Sequence, residues 1–148
     1  MSTSNATLST IVSHGMPDGF ANVMNDAITL LRRNRPNMLI VGHDAAVERA
    51  LARLRPHLIA PIADWAPRGV AISAIRTLIV KHVEALTQAE QARLMELSAD
   101  VECSVQVIST ARAPLFPAVE RGVFNDALYY RLNVVLLNLP AATEHDGS

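Results

Sequence analysis

A single cysteine, Cys103, stands in the 148-residue chain, which excludes an internal disulfide framework. Charge of either sign is nearly cancelled. Charged residues make up 18 % and the formal net charge is −1, so no broad positive field exists to draw in phosphate backbones, and nucleic-acid binding by bulk charge is not expected. No apolar run approaches the roughly 20 residues needed to cross a bilayer. The best candidate, VVLLNLP at 134–140, is interrupted by Asn138 and closed by Pro140. The opening MSTSNATLSTIVSHG lacks the basic start and apolar run of a signal peptide, so the expected location is the cytoplasm, with no membrane partner. Aromatic residues are only 4 %. Both tyrosines nevertheless stand side by side, Tyr129 and Tyr130 in ALYYRLNVV, and that pairing needs a reason.

What is present is apolar material: 50 % of the residues are hydrophobic, enough for a core in a chain of this length. The pattern predicts one α/β domain over 19–140, between a flexible polar segment at 1–18 and a flexible tail at 141–148. Phe20, Val23, Met24, Ala27, Leu30 and Leu31 recur at helical spacing until Pro36 stops them. MLIV (38–41) reads as a buried strand closed by Gly42, with Asp44 as N-cap of a helix carrying Val47, Ala50, Leu51 and Leu54. LIAPI (58–62) reads as an edge strand, because Pro61 cannot donate to a ladder, and 63–69 as loop. TLIV (77–80) is a third strand. Thr87 and Glu90 have the spacing of a capping box opening a helix to about Ala99. VQVIS (105–109) follows as a fourth strand, then a short helix ending at Gly122, another capped by Asn125, and VVLLNL (134–139) as a fifth strand. Strands alternating with helices predict a mainly parallel sheet covered on both faces.

From about Met38 to Pro140 the chain resembles the sigma-54 interaction domain, the AAA+ ATPase core of bacterial enhancer-binding transcriptional activators. The most specific stretch is APLFPAVERGVFNDALYYRLNVVLLNLP (113–140), whose order and spacing are similar to the family's closing segment with its L-Y-Y-R-L-N-V. RTLIVKHVEALTQAEQARLMEL (76–97) resembles the family's third strand and following helix, including the run Gln91-Ala92-Arg93-Leu94. MLIVGHDAAVERALARL (38–54) occupies the place of the first strand, phosphate loop and helix. The resemblance implies a three-layer core like that of P-loop NTPases, a five-stranded sheet in the order 5-1-4-3-2, with Gly42, Lys81 and Ser109 near one rim, and no lid subdomain before the chain ends. The G-A-F-T-G-A loop by which the family touches sigma-54 has no counterpart in IADWAPRGVAISA or elsewhere.

The chemical positions of that family are altered. A phosphate loop needs glycines that let backbone amides wrap phosphate, a lysine that neutralises it, and a hydroxyl for Mg²⁺. Counting from Gly42, those places fall on Val47, Glu48 and Arg49. The carboxylates that would hold Mg²⁺ and polarise water fall on Lys81 and His82. The first finger-like arginine falls on Asn125, leaving Arg131, read first as a helix-end arginine that satisfies carbonyls and second as a phosphate contact. The polar sensor of the fourth strand falls on about Ala111, beside Thr110. The expectation is therefore a pseudo-ATPase with no catalytic residues, no nucleotide or other cofactor and no metal, forming no ATP-dependent ring.

Other arrangements were weighed beside this one. His43, Asp44, His82 and Glu84 could share a carboxyl rim, where open α/β sheets bind ligands, but their spacing fits no ligand motif and no metal is expected. A receiver domain also fits five parallel strands, yet Lys81 stands where its phosphorylatable aspartate belongs. Trp65 is read as a cover for the sheet edge, Cys103 as an incidental thiol. Tyr129 and Tyr130 are expected to pack their helix onto the sheet, with a partner-facing hydroxyl as the other reading. The functional expectation is a non-enzymatic regulatory or protein-interaction module, linked to transcription regulation, with another protein as partner and a homodimer left open. A residual ATP-binding protein and a small-ligand sensor at the carboxyl rim stand as alternatives.

Overall fold

A computed structural model describes residues 9–12, 19–66, 75–99 and 105–140. Strand β1 spans Ser9–Val12, helix α1 Gly19–Asn34, β2 Met38–Val41, α2 Asp44–Leu54, β3 Ile62–Asp64, β4 Thr77–Val80, α3 Gln88–Ala99, β5 Gln106–Ala111, α4 Phe116–Glu120, α5 Asp126–Leu132 and β6 Val135–Asn138. Single 3₁₀ turns follow α2 at Arg55–His57 and β4 at Val83–Ala85.

All strand pairings are parallel, in the order β1-β6-β2-β5-β4-β3. The five expected strands keep the order 5-1-4-3-2. A sixth, β1, adds to the outside of β6, with Ser9 opposite Val135. That strand corrects the expectation of five. Its four residues, STIV, lie within a polar stretch whose composition hides so short a β-prone segment. The second expected strand is displaced toward the C-terminus: Ile62–Asp64 forms β3 while 58–61 does not. Pro61 instead supplies a carbonyl to the amides of Arg76 and Thr77, a role that needs no N–H.

Parallel strands are buried on both faces, and β2 and β4 are wholly so. Alternate side chains divide the core in two. Met38, Ile40 and Ile108 face one layer with Val23, Met24, Ala27 and Leu31 of α1 and Val47, Ala50, Leu51 and Leu54 of α2. Leu39, Val41, Leu78, Val80 and Val107 face the other with Leu94 of α3 and Leu128 and Leu132 of α5. Each such leucine contributes about 1.5–3 kcal/mol by leaving water.

The capping box opens α3 as its spacing predicts: the Glu90 amide donates to Thr87 Oγ1 at 3.1 Å and the Thr87 amide to Glu90 Oε1 at 2.9 Å. Asn125 caps α5, its Oδ1 accepting from the Leu128 amide at 2.8 Å. Gly122 adopts φ 79° after α4, a left-handed turn that costs glycine nothing. Among the described residues no helix is long and apolar enough to cross a membrane.

Candidate functional site

In a parallel sheet every strand delivers its carboxyl end to one edge. Here the ends of β2, β4 and β5 bring Gly42, His43, Asp44, Lys81, His82 and Arg112 to that rim. The connection from β2 to α2 is only Gly42 and His43. His43, extended at φ −64° and ψ 154°, is the N-cap residue, and its side chain makes no capping bond. Asp44, expected at that place, is the first helical residue. The difference is one residue, and Asp44 there puts a carboxylate where the helix dipole favours it.

The helix begins before a phosphate loop could form. The Val47 amide already donates to His43 O at 2.8 Å, and the Val47 side chain lies in the first core layer. Glu48 and Arg49 point outward from the same turn. Arg49 lies over the Phe20 ring at 4.2 Å. Glu48 receives the Lys81 ammonium at 2.9 Å. The two positions that would carry lysine and aspartate in the resembled pattern thus hold glutamate and lysine, and they meet.

Gly42 has a packing reason of its own. Its amide donates to Ala111 O at 3.0 Å and the Leu139 amide to Val41 O at 2.9 Å. A Cβ on Gly42 would stand 3.0 Å from Leu139 Cβ. A side chain there would press on Leu139, so the glycine eases the close approach of the chain leaving β6 to the chain leaving β2.

His82 turns the chain after β4 in the left-handed region, φ 55°. Its amide donates to Thr110 Oγ1 at 3.0 Å and its carbonyl accepts from Ala85 at 2.9 Å. Its Nδ1 is buried and has no hydrogen-bond partner among the described residues. Asp44 is engaged elsewhere: Arg112 Nε and Nη2 each reach one of its carboxylate oxygens at 3.0 Å. That fork holds the Asp44 carboxyl below the usual carboxylate range and the Arg112 guanidinium above its own. Arg112 was not singled out from sequence. The signal was available only jointly, because the order 5-1-4-3-2 makes β2 and β5 neighbours and so faces Asp44 with Arg112. Among the described residues no three His, Cys, Asp or Glu side chains gather as metal ligands, and His43, Asp44, His82 and Glu84 form no such group. Cys103 lies outside the described residues, as do 67–74 of the IADWAPRGVAISA interval.

Ser109, expected at the rim, is fully buried within β5 opposite Leu39 and Val80. The strand runs two residues further than 109, so Thr110 and Ala111 reach the edge instead. Asn125 and Arg131 stand at opposite ends of α5. Asn125 is the cap. Arg131 is at the last turn, where its carbonyl accepts from Asn37 Nδ2 at 3.0 Å, beside the amino edge of the sheet and away from the rim.

The tyrosine pair divides. Tyr129 packs on the second core layer, stacks 5.9 Å from Phe116 and accepts a bond from Asn133 Nδ2 at 3.1 Å. Tyr130 is 54 % exposed and meets Tyr129 edge-on at 5.1 Å. Adjacent residues on a helix point about 100° apart, so one tyrosine can reach the sheet while its neighbour faces out. The core expectation therefore holds for Tyr129 and fails for Tyr130. Trp65 packs beside the β4 edge, its amide donating to Ile79 O at 2.8 Å, with Arg93 over its ring at 5.1 Å. Gln91, from the run noted in the sequence, is a buried hub: its Nε2 donates to Leu86 O and Val123 O, and its Oε1 accepts from the Asn125 amide at 2.8 Å.

This sheet order and rim define an α/β domain of the AAA+ type. The family model described as "Sigma-54 interaction domain" matches residues 21–142, and the chain belongs to that family. It is 40 % identical over 57 residues to the transcriptional regulatory protein GlrR of Escherichia coli (strain K12), covering 38 % of this chain and 13 % of that protein. It is 36 % identical over 78 residues to the pathogenicity locus probable regulatory protein HrpR of Pseudomonas syringae pv. syringae, covering 53 % and 22 %. The chain thus spans less than a quarter of these curated relatives. In fold it is similar to NtrX from Brucella abortus, solved in complex with ATP, with TM-score 0.69 and 15 % identity over 87 % of this chain and 36 % of that one.

Proposed function

We infer that the chain is a non-enzymatic regulatory module built on the sigma-54 activator core, acting by contact with another protein and not by ATP turnover. The observation that carries this reading is the Glu48–Lys81 pair, 2.9 Å apart, at the two positions where the family pattern has a phosphate-binding lysine and a metal-binding aspartate. A γ-phosphate brought to this edge would meet a carboxylate, and Mg²⁺ would meet an ammonium. Losing one charge-assisted phosphate contact costs about 1.5–3 kcal/mol, one to two decades of affinity, before repulsion is added. The start of α2 at Asp44 supports the same reading, because the Val47 amide is spent on helix and cannot cradle phosphate. NtrX, similar in fold, was solved in complex with ATP; in this chain the fold is kept without nucleotide chemistry.

Phosphate release from MgATP tests the reading directly and should match a buffer blank. Turnover that Lys81→Ala or Glu48→Ala abolishes would overturn it. Sedimentation should likewise show no MgATP-dependent ring, since Asn125 serves as a helix cap where a finger arginine is expected.

A further inference from the structure

Five of the described positive side chains have a carboxylate or an aromatic ring as partner. Arg112 is held by Asp44, Lys81 by Glu48 and Arg55 by Asp64, while Arg49 and Arg93 lie over the rings of Phe20 and Trp65. At the opposite edge, Arg32, Arg33 and Arg35 line one groove of about 520 Å³ together with Asn34, His57, Leu31 and Ile59. None of these three arginines has an ion pair, side-chain hydrogen bond or ring contact among the described residues. The groove lies at the amino edge of the sheet, since Arg35 precedes β2 and Ile59 precedes β3, and so it is separate from the rim.

Arginines in the last turn of a helix ordinarily answer its dipole. That accounts for Arg32 and Arg33 but not for Arg35, which lies beyond the helix at φ 48°. A chain that only had to turn there would favour glycine or asparagine. The dipole amounts to roughly half a negative charge, against three guanidinium groups that never deprotonate. Asp26 is the sole carboxylate of α1 and stands about two turns away. The groove is therefore locally cationic on a chain whose net charge is −1.

We propose that this groove binds a small ligand carrying at least two linked phosphate groups. Each guanidinium fork matches two oxygens of one anionic group, so three forks suit a short phosphate chain better than a single carboxylate. The volume falls in the range of small-molecule sites, and half-buried Ile59 gives an apolar wall for an organic body.

Inorganic tripolyphosphate, titrated calorimetrically at low salt, is the probe. One saturable site per chain is expected, weakened about tenfold by Arg33→Gln, a change costing one charge-assisted contact. The double variant Arg33→Gln/Arg35→Asn should abolish it. Glutamine suits the helix nearly as well as arginine and asparagine suits positive φ, so both variants should keep the wild-type circular dichroism spectrum and melting temperature. Lys81→Gln, at the other edge, should bind as wild type does. No saturable binding, binding indifferent to the arginine changes, or binding lost in Lys81→Gln would overturn the proposal. A short single-stranded oligonucleotide binding more tightly than tripolyphosphate, with the same arginine dependence, would also overturn it in favour of a nucleic-acid backbone.

Discussion

Lys81 Nζ lies 2.9 Å from Glu48 Oε2, joining the end of β4 to the first turns of α2 across the carboxyl rim. Both side chains are more than a third exposed, so solvent screens the pair and its coupling should be small. A double-mutant cycle with Glu48→Ala and Lys81→Ala should give about 0.2–1 kcal/mol, falling as salt is raised. A larger, salt-independent coupling would mean that the pair holds the rim together.

Exchanging the charges, Glu48→Lys with Lys81→Asp, restores the family's residue types but not its loop. Val47 remains in a helix and in the core. Phosphate release from MgATP should stay at the blank while the melting temperature changes little. Turnover in this double variant would show that charge alone had silenced the site.

Gly42→Ala tests whether the glycine is kept for packing. The added methyl must displace Leu139, and overpacking of this kind costs about 1–3 kcal/mol. Urea denaturation should show that loss, and an unchanged midpoint would contradict the packing role of the glycine.

The two tyrosines should respond differently. Tyr130→Ala is expected to move stability by no more than about 0.5 kcal/mol, as surface changes usually do. Tyr129→Phe removes the hydroxyl that Asn133 donates to and should cost about 0.5–1.5 kcal/mol. Leu128→Ala, with a fully buried side chain, should cost about 2–5 kcal/mol. Equal effects for Tyr130→Ala and Leu128→Ala would contradict the packing described.

The Asp44 carboxyl is held down by Arg112, so whatever stability the pair adds is present above the ordinary carboxylate range and lost as pH falls through the lowered value. Carboxyl titration followed by NMR should place Asp44 below the ordinary aspartate value, and Arg112→Gln should raise it. An unchanged titration would dissolve the fork.

Strand order was legible because β2, β4 and β5 read as short apolar runs and the closing segment matched a known pattern over many residues. The capping box and the Asn125 cap were legible because each depends on two or three residues close in sequence. β1 was not, since four residues in a polar stretch show no period. The asymmetry of Tyr129 and Tyr130 was missed because the pair was read as one packing unit, although neighbours on a helix point about 100° apart. Glu48 and Lys81 were each read singly as losses of chemistry. That they meet depends on where β4 ends relative to α2, a distance no local pattern contains. The basic groove was equally hidden: RRNR is plain in the sequence, but His57 and Ile59 join it only through folding.

β1 pairs with β6, so the earliest of the described strands is completed by the last of them. During synthesis at about 5–20 residues per second, Ser9–Val12 waits on the order of ten seconds before Val135–Asn138 exists to receive it. Until then the edge of β2 that β6 will occupy stands open as well. Two of the five described pairings, β1 with β6 and β6 with β2, are therefore made only once residues 135–138 are available, and a nascent chain interrupted before residue 135 would present β2 to whatever strand it meets first.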